Sequence, residues 1–299
     1  MASERAVWPA LPYASWKDTY ETLHMWMQVV GKVALALAPP INHSWGTAFH
    51  VTPRGLSTHL LPHGGRSFAV EFDFLDHQLR VTCSDGGAHA LALTSQSVAA
   101  FYRSVMDLLN RMGLGVGIWT MPVEIPNPIR FEDDTIHHTY DREAVSRWWR
   151  LLTLMAPVFN ERRANFLGKS SPVHFFWGAF DVASTRFSGR PAPPRDGPAF
   201  MREAYSREVI SHGFWPGSGP LLEPSFYAYA VPEPDGLKTV TIEPSQAYYH
   251  RDLGEFILPY EAVRTAPDPV VALRSFIDST YAKAATLAKW DRATLERNP

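Results

Sequence analysis

Pro172-Val173-His174-Phe175-Phe176-Trp177-Gly178-Ala179-Phe180-Asp181-Val182-Ala183-Ser184-Thr185-Arg186-Phe187 has an earlier echo in the chain: Pro40-Ile41, then Trp45-Gly46, then Arg54. One offset relates Pro172-Val173, Trp177-Gly178 and Arg186 to those three sites, and the same offset carries Trp148 back onto Trp16. Further along, Phe68-x-x-Glu71 matches Tyr205-x-x-Glu208, and Arg103-Ser104-Val105-Met106-Asp107 matches Arg274-Ser275-Phe276-Ile277-Asp278. Each match is short, and their common order carries the argument. It predicts a duplication in the α+β class: two tandem α-β-β-β-β-α units, residues 1–125 and 126–299, packed as one globule about a pseudo-twofold axis.

The periodicity around these echoes supplies the elements. Leu23, Trp26, Met27 and Val30 recur at helical spacing, so Trp16–Val30 reads as a helix with Gly31 as its stop. Val33–Ala38 and Trp45–Thr52 read as strands, and Ser67–Phe74 alternates strongly. Leu79–Cys83 pairs with Ala88–Leu93 across Ser84-Asp85-Gly86-Gly87. Val98–Met112 is a helix, and Val116–Thr120 a short strand. In the second half Asp141 caps a helix from Arg142 to Leu167, interrupted by Pro157. Strands follow at Val173–Phe187, Tyr205–Trp215, Ser225–Val231 and Glu255–Leu258, with an exposed loop at Gly189–Pro198. A helix at Pro269–Trp290 closes the pattern.

Composition narrows the function classes. Hydrophobic residues at 45% and charged residues at 19% support a packed core rather than disorder. A formal net charge of -2, with no long basic run, gives no electrostatic footprint for nucleic acid. The single cysteine, Cys83, forbids an internal disulfide and fits a reducing compartment. Met1–Pro12 lacks a signal-peptide pattern, and the apolar run Val33–Ala38 is far below the roughly 20 residues of a membrane span. The expectation is a cytoplasmic protein with a small-molecule ligand, no nucleic acid and no membrane. Cofactor and oligomeric state are left unknown.

Most local motifs dissolve on inspection. Gly113-Leu114-Gly115-Val116-Gly117 follows a helix and precedes a strand, the reverse of a dinucleotide fingerprint, so it reads as a turn. There is no phosphate-binding loop and no nucleophile elbow. His250-Arg251-Asp252 has no histidine after it to complete an iron triad and reads as a turn cap; no metal is assigned. His137-His138 reads as a capping pair. His24 and His43 each sit among large apolar residues, where a satisfied core histidine is the plainer reading.

The strings Trp16-Lys17-Asp18-Thr19, Leu23-His24-Met25-Trp26, Pro39-Pro40-Ile41-Asn42-His43, Glu71-Phe72-Asp73-Phe74 and Trp119-Thr120-Met121-Pro122 continue through Pro172–Gly178, Thr185–Arg190, Gly213–Gly217 and Leu253–Phe256. Nearly end to end they resemble a bacterial family of uncharacterised proteins, a domain of unknown function. The resemblance implies membership and transfers no activity or catalytic residue.

The functional expectation therefore rests on side-chain chemistry in the second half. Asp181 stands where the first half has Phe49, and a carboxylate in an aromatic setting demands a partner. On a continuous strand Trp177 and Asp181 share a face. Arg186 would partner Asp181 only if a bulge at Gly178 or Ser184 brings it round. Glu208 and His212 share a face of the next strand, as do Tyr227 and Tyr229 of the one after. His174 opens the first of these strands and Trp215 ends the second. The expected site has Asp181, Glu208 and His174 moving protons, Arg186 holding an anionic group, and Trp177, His212, Trp215, Tyr227 and Tyr229 binding substrate. This describes an enzyme acting on a small anionic or aromatic organic molecule by acid–base chemistry. The alternatives are a non-catalytic ligand-binding protein and a structural scaffold.

Overall fold

The computed structural model of the chain describes residues 7–297. The fold divides into two compact units. The first comprises Ala14–Arg150 with Phe175–Phe180; the second comprises Met1–Tyr13, Leu151–His174 and Asp181–Pro299. The expected boundary at residue 125 falls inside the first unit, in the irregular segment 114–141.

The first unit opens on α1 (Lys17–Leu37) and continues with β1 (His50–Val51), β2 (Gly55–Ser57), β3 (Leu61–His63), β4 (Arg66–Asp73), β5 (Gln78–Cys83), β6 (Ala88–Ala92) and α2 (Val98–Arg111). All strand pairs are antiparallel, in the order β1-β2-β4-β5-β6, with β3 also on β4. The alternation read in Ser67–Phe74 has a plain result: Phe68, Val70 and Phe72 are buried on one face of β4. Trp26 of α1 stacks on Phe101 of α2 at 4.6 Å, and Phe72 lies 6.4 Å from the same ring. Helices and sheet thus share one aromatic core. α3 (Arg142–Ala164) begins in this unit with Asp141 capping it, its Oδ1 accepting from Glu143 N and Ala144 N. Pro157 is accommodated within that helix.

Several expectations fail here for identifiable reasons. Val33–Ala38 is not a strand, because α1 runs through Gly31 to Leu37 and buries Val30, Val33 and Ala34. Gly31 is a contact, not a stop: the Trp177 ring packs against it so closely that a Cβ would lie 2.2 Å from Cδ2. Trp45–Thr52 yields only the two residues of β1, after a 3₁₀ turn at Asn42–Ser44, and Val116–Thr120 has no regular structure. β7 (His174–Phe176) is the remnant of the long strand expected from Val173. Its Phe175 exchanges both backbone hydrogen bonds with Phe49, at 2.9 and 2.8 Å. A turn over 177–180 follows, with Phe180 at φ 61°, so Trp177 and Asp181 do not share a strand.

The second unit contains β8 (Asp181–Pro191), α4 (Ala199–Ala204), β9 (Arg207–Trp215), β10 (Ser225–Val231), β11 (Tyr248–His250), β12 (Glu255–Pro259), α5 (Tyr260–Arg264), α6 (Pro269–Leu287) and α7 (Arg292–Leu295). Its strands run antiparallel in the order β11-β12-β10-β9-β8. Helices α3, α5 and α6 pack on one face. Phe226 of β10 lies 6.4 Å from Phe159 of α3, Phe214 of β9 lies 5.9 Å from Tyr260 of α5, and His212 of β9 meets Thr280 of α6 at 3.0 Å. No helix among the described residues is long and apolar enough to cross a membrane.

The glycine contact can be tested. On propensity alone, alanine at a helix interior gains about 1 kcal/mol over glycine. At Gly31 the methyl must displace a buried indole, so Gly31→Ala is expected to lower stability by roughly 1–3 kcal/mol in urea unfolding; a neutral or stabilising effect would show that the contact is loose.

Candidate functional site

The second unit's sheet separates its polar residues by alternation. From Val182 to Phe187, β8 pairs with β9 without a break: Val182 opposite Phe214, Ala183 opposite Gly213, Ser184 opposite His212, Thr185 opposite Ser211, Arg186 opposite Ile210. β10 continues the ladder, with Tyr227 opposite Gly213 and Tyr229 opposite Ser211, and β12 sets Ile257 opposite Tyr227. Asp181, Thr185, Ser211, Gly213, Tyr227, Tyr229 and, two residues before Ile257, Glu255 therefore project from one face, opposite the helices.

Contacts knit this face together. The Tyr227 hydroxyl donates to Asp181 Oδ2. Its ring lies over Gly213, where a Cβ would come within 2.3 Å of the phenol, so glycine is required there. Tyr227 and Tyr229 stack at 6.0 Å with 16° between planes. Thr185 Oγ1 and Ser211 Oγ are 2.9 Å apart, and the Tyr229 and Tyr205 hydroxyls 3.0 Å apart. Either hydroxyl of each pair can be the donor. The Arg195 guanidinium sits 4.5 Å over the Tyr205 ring.

The electrostatics follow from burial. Removal from water, and then the charge of Asp181, push the Glu255 carboxyl up to about 7. Burial first, then Asp181 and more weakly Glu255, hold Tyr227 neutral far above the ordinary phenol range; burial, then Tyr205 and more weakly Glu255, do the same for Tyr229. Tyr205 also shifts upward, burial again leading and both carboxylates contributing. The face thus carries one proton that moves near neutral pH, on Glu255, and phenols that stay protonated.

The expected constellation is divided. Asp181, Tyr227 and Tyr229 come together, and Trp215, half-buried, ends β9 with its side chain on their face. Arg186 is on the opposite face because β8 has no bulge at Ser184. There it is buried, donates Nη2–H to the Arg162 carbonyl, and lies 4.2 Å over Tyr281. It is a brace, not an anion ligand beside Asp181. His212 shares that inner face, and burial leads in keeping it neutral. Because the Thr280 hydroxyl donates to Phe276 O, His212 Nε2–H donates to Thr280 Oγ1. Glu208 accepts from Ser188 Oγ at 2.8 Å and from Arg190 at 2.7 and 2.9 Å, while Arg190 also ties to the Ala288 and Lys289 carbonyls. Trp177 belongs to the first unit, its Nε1–H donating to Thr47 O at 2.9 Å. His174 is fully buried at the start of β7. Glu255, Tyr205 and Arg195 were not singled out in the sequence; only the alternation of Glu255 with Ile257 pointed at the first.

The first unit has polar features of its own. His24, Gln28 and Lys32 recur every fourth residue along buried α1. His24 Nε2–H is shared between the carbonyls of Trp177, at 3.0 Å, and Gly178, at 2.9 Å; burial holds the ring at about 4, hence neutral. Gln28 exchanges two hydrogen bonds with the Val123 backbone, at 2.7 and 2.8 Å. His50 Nε2 and His59 Nδ1 are 2.9 Å apart, and burial followed by the neighbouring ring brings His50 to about 4. Two neutral imidazoles so placed could each give a nitrogen to a metal ion. Two open grooves lie elsewhere in the second unit. One of about 650 Å³ follows residues 238–245 with Tyr248 and Tyr249, and one of about 730 Å³ follows residues 163–170 with Arg297.

Against known proteins, the chain matches a family of unknown function (DUF5996) over residues 8–297, and it belongs to that family. No curated protein matches it. No solved structure matches it either.

Two measurements test the electrostatics. Because folding raises the Glu255 pKa from about 4.5 to about 7, the folded state holds a proton that the unfolded chain has lost in that interval. Stability is therefore expected to fall by roughly 1–3 kcal/mol between pH 4.5 and 7.5, with Glu255→Gln removing that part of the slope in urea titrations. Asp181→Asn should lower the Glu255 pKa in a carbon-detected NMR titration; an unchanged midpoint would mean that the two carboxylates do not sense each other.

Proposed function

We propose that the tyrosine-lined face of the second unit binds a small organic acid and moves a proton on it. The observation that carries this reading is the environment of Glu255: a partly buried carboxyl, titrating near 7, facing Asp181 and a set of neutral phenols. A general acid or base works best when its pKa lies near the working pH, and neighbouring charge with burial is the usual way a carboxyl reaches that range. Asp181, engaged by the Tyr227 hydroxyl, is the neighbouring carboxylate that helps raise Glu255. The Tyr205 hydroxyl and Arg195 supply a hydrogen-bonding group and a cation for a carboxylate or a developing oxyanion. Arg195 thus takes the role first expected of Arg186, and Glu255 that of Glu208.

In the same reading the protein is a soluble cytoplasmic enzyme without a nucleic-acid partner. Its two antiparallel sheets, each with helices on it, support descent from a duplicated unit.

The test is consumption. Wild type, Glu255→Gln and Tyr205→Phe would each be incubated with a panel of small keto, hydroxy and aromatic carboxylic acids, followed by mass spectrometry and calorimetry. Wild type should consume at least one compound, with a rate rising through about pH 7 if Glu255 is the base. Glu255→Gln should lose turnover by roughly 10²–10⁴-fold with affinity largely kept. Tyr205→Phe should weaken binding. Saturable binding with no compound consumed would overturn the catalytic reading in favour of a ligand-binding protein.

A further inference from the structure

Residues 22–34 of α1 are buried on every side of the helix, yet the stripe His24, Gln28 and Lys32 is polar. The first two are matched by backbone groups of Val123, Trp177 and Gly178. Lys32 is not. Its residue is 3% exposed, and Nζ has no hydrogen-bond acceptor among the described residues. Its described neighbour is the Trp119 ring, whose centroid lies 4.2 Å from Nζ. Trp119 itself is 61% exposed, on the segment 114–141, which forms neither helix nor strand. The nitrogen is therefore covered by a ring that faces solvent, and that segment is pinned to α1 beyond Trp119, at Val123. The remaining lysines, Lys17, Lys169, Lys238, Lys283 and Lys289, are all exposed.

A purely structural residue at this position would gain by being Met or Leu, since a buried ammonium without an acceptor is costly. The same cost makes the uncharged amine accessible: burial shifts the Lys32 pKa downward. A desolvated lysine is the group used for carbonyl chemistry, and here it lies beneath an aromatic ring that borders solvent.

We propose that Lys32 is an imine-forming residue, a site for an aldehyde or ketone that enters beside Trp119. The amine nitrogen adds to the carbonyl carbon as the C–O π bond opens, and a proton passes from nitrogen to oxygen. The hydroxyl then leaves as water with the second proton of the nitrogen, whose electron pair forms the C=N bond. Hydrolysis runs the sequence backwards, and no oxidant or reductant takes part. The site lies wholly in the first unit and does not depend on the acid–base reading of the second.

The experiment traps the imine. The full-length protein would be treated at pH 7 with propanal or glyoxylate in the presence of cyanoborohydride, and the modified lysines located by peptide mass mapping over time. Lys32 should label about tenfold or more faster than any exposed lysine, the direction that burial of its amine dictates. Its rate should level off at lower pH than theirs. Trp119→Ala should accelerate labelling of Lys32 alone, and Lys32→Met, with unchanged circular dichroism, should abolish the fast phase. Preference for glyoxylate over propanal would add an anionic group to the ligand; equal rates would define an uncharged one. The proposal fails if Lys32 stays unmodified in both wild type and Trp119→Ala while the exposed lysines react, or if it reacts no faster than they do.

Discussion

Alternation that runs without a break from Val182 to Phe187 of β8 and on across β9, β10 and β12 governs the second unit. Helices α3, α5 and α6 cover one face of that sheet, so every second residue must pack against them. The intervening residues are thereby committed to the other face, whatever their chemistry. Two carboxylates and the phenols of β10 are brought into one partly dehydrated neighbourhood, and the proton on Glu255 is the most labile outcome. The chemistry of the face is a consequence of the ladder register, and a one-residue slip would exchange the two sets of side chains.

The molecule deals with buried charge in two distinct ways. Asp73 is fully buried, and burial alone would raise its pKa. Hydrogen bonds from Arg54, Arg80 and the backbone of Leu75 and Asp76 outweigh that and hold it at about 2. Arg186 finds a carbonyl and two aromatic rings, and Glu208 finds Arg190 and Ser188. These groups are compensated, and they brace the fold. The pKa of Glu255 is raised, and that of Lys32 lowered, mainly by burial, with no ion pair to offset it. That difference separates candidate working groups from braces more reliably than residue type, since Glu208 and Glu255 are the same amino acid.

Missing side chains matter as much as present ones. Gly31 and Gly213 lie in regular helix and strand, each beneath an aromatic ring, Trp177 and Tyr227 respectively. In both places the glycine admits a ring and has no turn to make. A local reading assigns Gly31 to a helix stop because the ring that needs the space lies far along the chain.

Much of the fold was legible in the chain. The alternation of Ser67–Phe74, the hairpin about Ser84–Gly87, the helix at Val98, the cap at Asp141 and the strand Ser225–Val231 are local patterns, because periodicity and turn chemistry act over a few residues. Asp181, Tyr227 and Tyr229 were likewise legible as a polar set out of place on strands. The sequence alone could not show that α1 continues through Gly31, that the long strand breaks into a turn over 177–180, or that Arg186 and Glu208 turn away from Asp181. Nor could it show that Glu255, Tyr205 and Lys32 are the groups left without a compensating charge or in reach of a ligand. Those outcomes depend on which distant side chain occupies a given space and how much water is left around a charge, and both are decided only when the chain has packed.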